Sequence, residues 1–228
     1  NNIFENNGKS YSTFDHNMYL SCYNCLIEGN TIYNALDAIK IRKGENVTVR
    51  NNTIYDMDYM GITLGADDDK MLKNVVIEGN DISDTSNGII IRDQSTGEGY
   101  VENIIVRNNI VRNLKAGGDY PSGYYCSPSS SSHSDGVHIY NNLFYGIDQR
   151  EALFINDMDI ANINIKNNIF YGTDSSTKLL YILPSDLSNI DLDNNLYYDE
   201  QGGALFDWDG VEYNSVSEFA SASGMEAN

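Results

Sequence analysis

One six-residue phrase recurs along the whole 228-residue chain, and this recurrence restricts the fold more than any other feature. The phrase is an apolar residue, two others, an asparagine, one other and a second apolar residue. It reads Ile27-Glu28-Gly29-Asn30-Thr31-Ile32 and Val49-Arg50-Asn51-Asn52-Thr53-Ile54, then returns over 77–82, 106–111, 139–144, 165–170 and 192–197. The marker asparagines are Asn2, Asn30, Asn52, Asn80, Asn109, Asn142, Asn168 and Asn195, at spacings of 28, 22, 28, 29, 33, 26 and 27. Between markers lies a second strand-like phrase: Ala38-Ile39-Lys40-Ile41, Gly61-Ile62-Thr63-Leu64, Gly88-Ile89-Ile90-Ile91 and Ala152-Leu153-Phe154-Ile155.

Each unit therefore holds three short segments of period two, with no stretch of helical period long enough to matter. Segments this short cannot bury one face alone and must stack on their counterparts in neighbouring units. A right-handed parallel β-helix satisfies this. It is an all-β, single-stranded coil of about seven to eight turns, each rising ~4.8 Å, or roughly 34 Å in all. Asparagine suits a fixed corner, because it tolerates left-handed φ and its amides bond one above another. A leucine-rich repeat, the competing architecture, requires Leu-rich sequence, whereas here 24 Ile outnumber 15 Leu. The expected organisation is a β-helix over 1–210, read as an N-terminally truncated fragment, with a loop and short helix over 211–228 capping the same domain.

The pattern resembles the pectin-lyase-like superfamily of parallel β-helix proteins with PbH1 repeats, over essentially the whole chain. Within it, Asp15-His16-Asn17-Met18-Tyr19-Leu20-Ser21 running into Ile27-Glu28-Gly29-Asn30 is similar to repeats of archaeal disaggregatases and related surface-polysaccharide enzymes. So is Asn194-Asn195-Leu196-Tyr197-Tyr198 running into Phe206-Asp207-Trp208. The resemblance implies a polysaccharide ligand. It leaves the reaction open, since lyases, hydrolases and adhesins share the fold.

Charge narrows the partners. Fourteen Lys and Arg against 33 Asp and Glu give a net charge of −19, which excludes a nucleic-acid partner needing a basic face. No apolar run reaches a membrane span. Acidity and the asparagine content suggest a secreted or cell-surface protein. The chain opens mid-repeat, so further coils or another domain are expected at the N-terminal end.

Alternation along the strands separates inside from outside. Core rows are expected at Ile39/Ile41, Ile62/Leu64, Ile89/Ile91, Leu153/Ile155 and Leu180/Ile182, and at Val47/Val49 and its successors. One outward row, Glu28, Arg50, Glu78, Arg107, Tyr140, Lys166 and Asp193, alternates in sign and reads as an ion-pair ladder. A second, Glu5, Tyr33, Tyr55, Ser83, Arg112, Tyr145, Tyr171 and Tyr198, reads as stacked aromatics or a platform for sugar rings. A third begins Tyr19, Lys40, Thr63, Ile90, Tyr125, Phe154 and Tyr181, with Ser21, Arg42 and Arg92 beside it.

The face that carries this last row gathers cations in an acidic protein and is rimmed by the longest turns, so a groove is expected there. Lys40, Arg42, His16 and Tyr19 are the candidate catalytic residues, and Arg92, Tyr59, Thr63, Tyr125 and His133 the candidate substrate contacts. In one mechanism a cation or Ca²⁺ neutralises a uronate carboxylate while Lys40, His16 or Tyr19 removes the adjacent proton. Asp67, Asp68 and Asp69 offer oxygen ligands for Ca²⁺. In another, two carboxylates among Asp15, Asp37, Asp67, Asp93, Asp135 and Asp157 hydrolyse a glycoside. Outside both stands a non-catalytic binding module. The enzymatic reading is preferred.

Cys22 and Cys25 straddle an expected corner where they can pair, although all three cysteines read more readily as small buried residues. Near the C-terminus, Ser215 to Ala222 has a helical signature, with Ser215 as N-cap, Glu218 three residues on and Gly224 as the stop.

Overall fold

A computed structural model describes residues 2–7, 15–65, 71–91, 99–115, 122–126, 133–147, 151–156, 160–174, 178–183, 189–202 and 205–226. Strands β1 (Ile3–Glu5), β2 (His16–Glu28), β3 (Thr31–Arg50), β4 (Thr53–Leu64), β5 (Met71–Glu78), β6 (Asp81–Ser83) and β7 (Asn87–Ile91) open the chain. There follow β8 (Tyr100–Arg107), β9 (Ile110–Arg112), β10 (Ser122–Cys126), β11 (His133–Tyr140), β12 (Leu143–Ile147), β13 (Glu151–Ile155) and β14 (Ile160–Lys166). The last are β15 (Ile169–Gly172), β16 (Leu180–Ile182), β17 (Ile190–Asp193), β18 (Leu196–Asp199), β19 (Phe206–Trp208) and β20 (Val211–Tyr213), before helix α1 (Val216–Ser223).

Strands β1 to β19 pair in parallel with their counterparts one coil away, which builds three faces of a right-handed parallel β-helix. The first face contains Ile39, Ile62, Ile89, Tyr124, Leu153, Leu180 and Phe206 in register. The second aligns Val49, Ile77, Val106, Ile139, Ile165 and Leu192. The third aligns Phe4, Ile32, Ile54, Ile82, Val111, Phe144, Phe170 and Tyr197. The apolar members of these rows fill the interior, and the core positions expected from alternation are buried.

The marker asparagines form one continuous hydrogen-bonded column. Asn52, for example, donates its main-chain N–H and its Nδ2 to Oδ1 of Asn80, both at 3.0 Å, and Nδ2 also reaches the carbonyls of Ile27 and Arg50. The same bonds recur from Asn2 to Asn195. The left-handed φ falls on the residue before each marker from Asn30 onward, in Gly29, Asn51, Gly79, Asn108, Asn141, Asn167 and Asn194. Two tasks assigned to one asparagine are thus divided between neighbours, one turning the chain and one stacking. A second column stands at another corner, where Asn24, Asn46, Asn74 and Asn103 combine left-handed φ with amide-to-amide bonds.

Where the first face begins, Gly61, Gly88 and Gly123 stack because a side chain does not fit. A Cβ at Gly88 would lie 2.4 Å from the carbonyl oxygen of Gly123, and one at Gly61 would lie 2.5 Å from that of Gly88.

The sign-alternating row behaves as a ladder: Arg50 bonds Glu28 at 2.7 Å, Arg107 bonds Glu78 at 2.6 Å and also the Tyr140 hydroxyl. Lys166 reaches Asp191, on the next coil, at 2.5 Å. The hydrogen bond with Glu28 holds Arg50 above the usual guanidinium range, and Arg50 in turn pulls Glu28 down. These pairs are half exposed, so they fix register more than they stabilise.

At the C-terminal end β20 turns back antiparallel on β19, a strand where a loop had been expected. Helix α1 starts at Ser215, whose hydroxyl accepts the Glu218 N–H, and ends at Gly224 with φ 74°. Its Phe219 is fully buried and stacks on Phe206 at 4.5 Å, closing an internal column of Phe144, Phe170, Tyr197 and Phe206. The cysteines depart from the buried-thiol reading. Cys22 and Cys25 form a disulfide at a half-buried corner, and Cys126 is buried and outside any disulfide.

Candidate functional site

The strand pairing that sets the core also assembles a polar cluster on the first two coils. His16 is the Cα partner of Asp37, and Tyr19 that of Lys40. His16 Nδ1 lies 2.8 Å from Asp37 Oδ2, and both side chains are only 4% exposed. Asp37 is itself held, since Oδ1 accepts the Met60 N–H from the following coil. The Tyr19 ring stacks on the imidazole at a centroid distance of 5.2 Å, and Lys40 Nζ lies 6.0 Å from the tyrosine centroid. Tyr19 is 54% exposed and presents the cluster to solvent. Neither ring nitrogen of His16 has hydrogen-bond geometry to a partner, so the approach of Nδ1 to Asp37 is an ion-pair contact and Nε2 is unengaged.

Three of the four candidate catalytic residues are thus brought together, and Asp37 joins them. A common offset of 21 residues, His16 to Asp37 and Tyr19 to Lys40, is the signal in the sequence that points to Asp37. Arg42 is placed differently from its expected position beside Ser21. The register shifts after Leu20, Ser21 pairs with Lys43, and Arg42 occupies the bulge, 7% exposed.

The open groove expected along the first face is also corrected. The row runs Tyr19, Lys40, Thr63, Ile90, Tyr125, Phe154, Tyr181 as read from the sequence. Yet Lys40 is 6% exposed, Thr63 1%, Ile90 2% and Phe154 7%. Thr63 donates to the Met60 sulfur rather than facing solvent. Tyr59 is half-buried in β4. Tyr125 and His133 lie in β10 and β11, with side chains outside the described residues; His133 opens a strand of the second face where a turn had been expected. Arg92, Asp67, Asp68 and Asp69 lie outside the described residues altogether. Among the described residues no group of three or more His, Cys, Asp or Glu is placed to hold a metal ion. Asp135, another candidate carboxylate, accepts a bond from Asn162 on the second face.

Sequence reasoning did not find a second cluster at the far end of the same row. Lys178 Nζ bonds Asp207 at 2.8 Å and Glu212 at 2.7 Å, over the Tyr181 ring. Burial pulls the Lys178 ammonium down, but its bonds to Asp207 and Glu212 hold it above the usual range. Burial raises the Tyr181 hydroxyl. The tyrosine row of the third face stacks internally, Tyr33 on Tyr55 at 4.9 Å and 5°. Ring faces that meet each other in this way are not open to a sugar.

The family described as "Right handed beta helix region" matches residues 1–148, more than half of the chain. This chain belongs to the right-handed β-helix family. It is similar to a polygalacturonase of Saccharomyces cerevisiae, at 28% identity over 123 residues, covering 53% of this chain and 34% of that protein. The chain thus spans about a third of the length of this curated relative. Two structures of mutant tailspike proteins from E. coli bacteriophage HK620 superpose with TM-scores of 0.54 and 0.52, at 16% and 15% identity. Each covers 78% of this chain and 39% of the tailspike chain. At that identity the tailspikes bear on the fold alone. No helix in the described residues is long and apolar enough to cross a membrane.

Proposed function

We propose that this chain binds an acidic polysaccharide at the Tyr19 end of the first face and cleaves it by β-elimination, with His16 moving the proton. The observation that carries the reading is the buried His16–Asp37 pair at 2.8 Å, beneath an exposed tyrosine and near an ammonium group. A carboxylate at Nδ1 favours the tautomer with its proton there, leaving the lone pair of Nε2 as a base. Lys40 offsets the charge of a uronate and so favours loss of the proton next to its carboxylate. That proton passes to Nε2, the pair of the broken C–H bond forms the C=C bond, and the β C–O bond breaks with its pair leaving on oxygen. The departing oxygen takes a proton from the Tyr19 hydroxyl, which solvent restores as His16 gives its proton up. Access to Nε2 requires the Tyr19 ring to turn away, a rotamer change of an exposed side chain.

The likeness to a polygalacturonase supports a second reading, in which the bond is hydrolysed. An oxidised Cys22–Cys25 pair and the net charge of −19 support an extracellular or cell-surface setting. The deciding experiment is incubation with uronate-containing and neutral polysaccharides, with and without Ca²⁺, following both unsaturated-product absorbance and reducing ends. Elimination raises both signals, and His16→Ala or Asp37→Asn lowers the rate by about a hundredfold or more. Reducing ends alone favour hydrolysis. Neither signal leaves a binding module, and the proposed reaction falls.

A further inference from the structure

The second face carries a recess of about 340 Å³ lined by His138, Tyr140, Asn164, Lys166 and Asn167. Adjacent coils supply it: His138 is the Cα partner of Asn164, and Tyr140 that of Lys166. It stands on a different face of the coil from the Tyr19–Lys40 cluster. The hydrogen-bonding groups around it are mostly donors. Asn164 Nδ2 lies 3.2 Å from His138 Nδ1. With the Asn164 amide in this orientation its nitrogen donates, Nδ1 accepts, and the imidazole proton sits on Nε2 as a donor; the opposite tautomer would require the amide to be turned over. The Tyr140 hydroxyl accepts from Arg107 Nη1 at 3.2 Å, which leaves its own hydrogen to give. Lys166 uses one ammonium hydrogen on Asp191 and has two more.

We propose that this recess binds the anionic group, carboxylate or sulfate, of a saccharide unit. In a chain of net charge −19, a half-buried set of imidazole N–H, phenol O–H and ammonium donors is matched by an acceptor-rich oxyanion. A neutral sugar offers these donors no charged acceptor, and a cation meets no carboxylate among the lining residues. That the ligand is a saccharide rests on the polysaccharide reading above; that it is anionic rests on the donors alone. The site holds substrate or anchors the protein on it, with no bond made or broken.

The test is isothermal titration of the intact chain with sodium glucuronate, glucose 6-sulfate and glucose. Either or both acidic sugars bind and glucose does not; which of the two binds identifies the oxyanion. Asn164→Asp keeps the size but places a carboxylate in the recess and accepts from His138. It is expected to weaken binding at least tenfold, about 1.4 kcal/mol, with the circular dichroism spectrum unchanged. Lys115→Ala, which removes an ammonium that pairs with Asp56 and lines neither site, leaves this affinity intact. The proposal is overturned if glucose binds as tightly as the acidic sugars, if Asn164→Asp binds as before, if Lys115→Ala abolishes the signal, or if no sugar binds at millimolar concentration. Cleavage failing while glucuronate still binds removes the proposed reaction and leaves this site standing.

Discussion

Asn195 gives both its main-chain N–H and its side-chain amide to the carboxylate of Glu226, at 3.1 and 2.5 Å. Every marker asparagine before it donates to the next asparagine along, so the column has a direction and its last member needs a pure acceptor. An ionised carboxylate is one. Glu226 also accepts the Tyr197 hydroxyl at 2.6 Å and is itself buried. Glu226→Ala leaves these donors without their acceptor and is expected to destabilise the chain by about 3 kcal/mol. Glu226→Gln, keeping one acceptor oxygen, falls between. Urea unfolding checks this through a lower midpoint at constant slope. Equal midpoints for all three proteins sink the capping role.

Gly88→Ala tests the packing of the first face. The added Cβ meets the Gly123 carbonyl oxygen at 2.4 Å and the Val111 side chain at 2.5 Å. The coil below is tied to the coil above by parallel hydrogen bonds, so neither can retreat alone, and overpacking of this kind costs about 1–3 kcal/mol. Ala152, at the matching place one coil beyond Gly123, shows that a methyl is accepted where the neighbour permits it. A thermal midpoint unchanged by the substitution refutes the close-approach argument.

Most of the fold could be read from the sequence because a parallel coil repeats its own environment. A single correct register places every residue of a row, and the Glu5 to Tyr198 row came out complete. Failures occur where the repeat is locally broken. The bulge at Arg42 shifts one strand by a residue, and no periodicity announces it. Burial of Lys40 and Phe154 depends on what covers the outside of the sheet, which strand alternation does not encode. The Lys178–Asp207–Glu212 cluster joins a connection, a last coil and an antiparallel return, so its members share no repeat position. His16, Tyr19 and Lys40 were within reach because all three belong to regular coils.

Tyrosine titration gives a test by pH. The hydrogen bond from the Tyr171 hydroxyl to Glu200, at 2.5 Å, raises the phenol from 10.0 to about 12. A folded value above the unfolded one favours the neutral form. Its contribution is therefore complete below pH 10.0 and is lost as pH rises through about 12. Alkaline titration of phenolate absorbance should show Tyr171 among the late tyrosines, with Tyr197 and Tyr124, whose hydroxyls burial raises further. Glu200→Gln moves one tyrosine back towards the ordinary range, while Tyr171→Phe removes it. A titration curve identical in Glu200→Gln contradicts the assignment.

The helix at the C-terminal end acts as a plug for the core, and a fluorescent reporter is built into it. Trp208, the one tryptophan of the chain, packs edge-on against Phe219 at 5.4 Å and is 9% exposed. Phe219 also stacks on Phe206 and meets the edge of Tyr213. Phe219→Ala removes a fully buried ring at the open end of the aromatic column, where the helix cannot collapse inward to refill it, and is expected to cost about 3–5 kcal/mol. If the plug alone is released, tryptophan emission shifts to the red and its quenching by iodide rises, while the far-ultraviolet β signal of the coils persists. If the whole rod depends on the plug, fluorescence and β signal are lost together at a lower temperature. Emission and stability both unchanged would mean that the helix rests on the end of the coil without closing it.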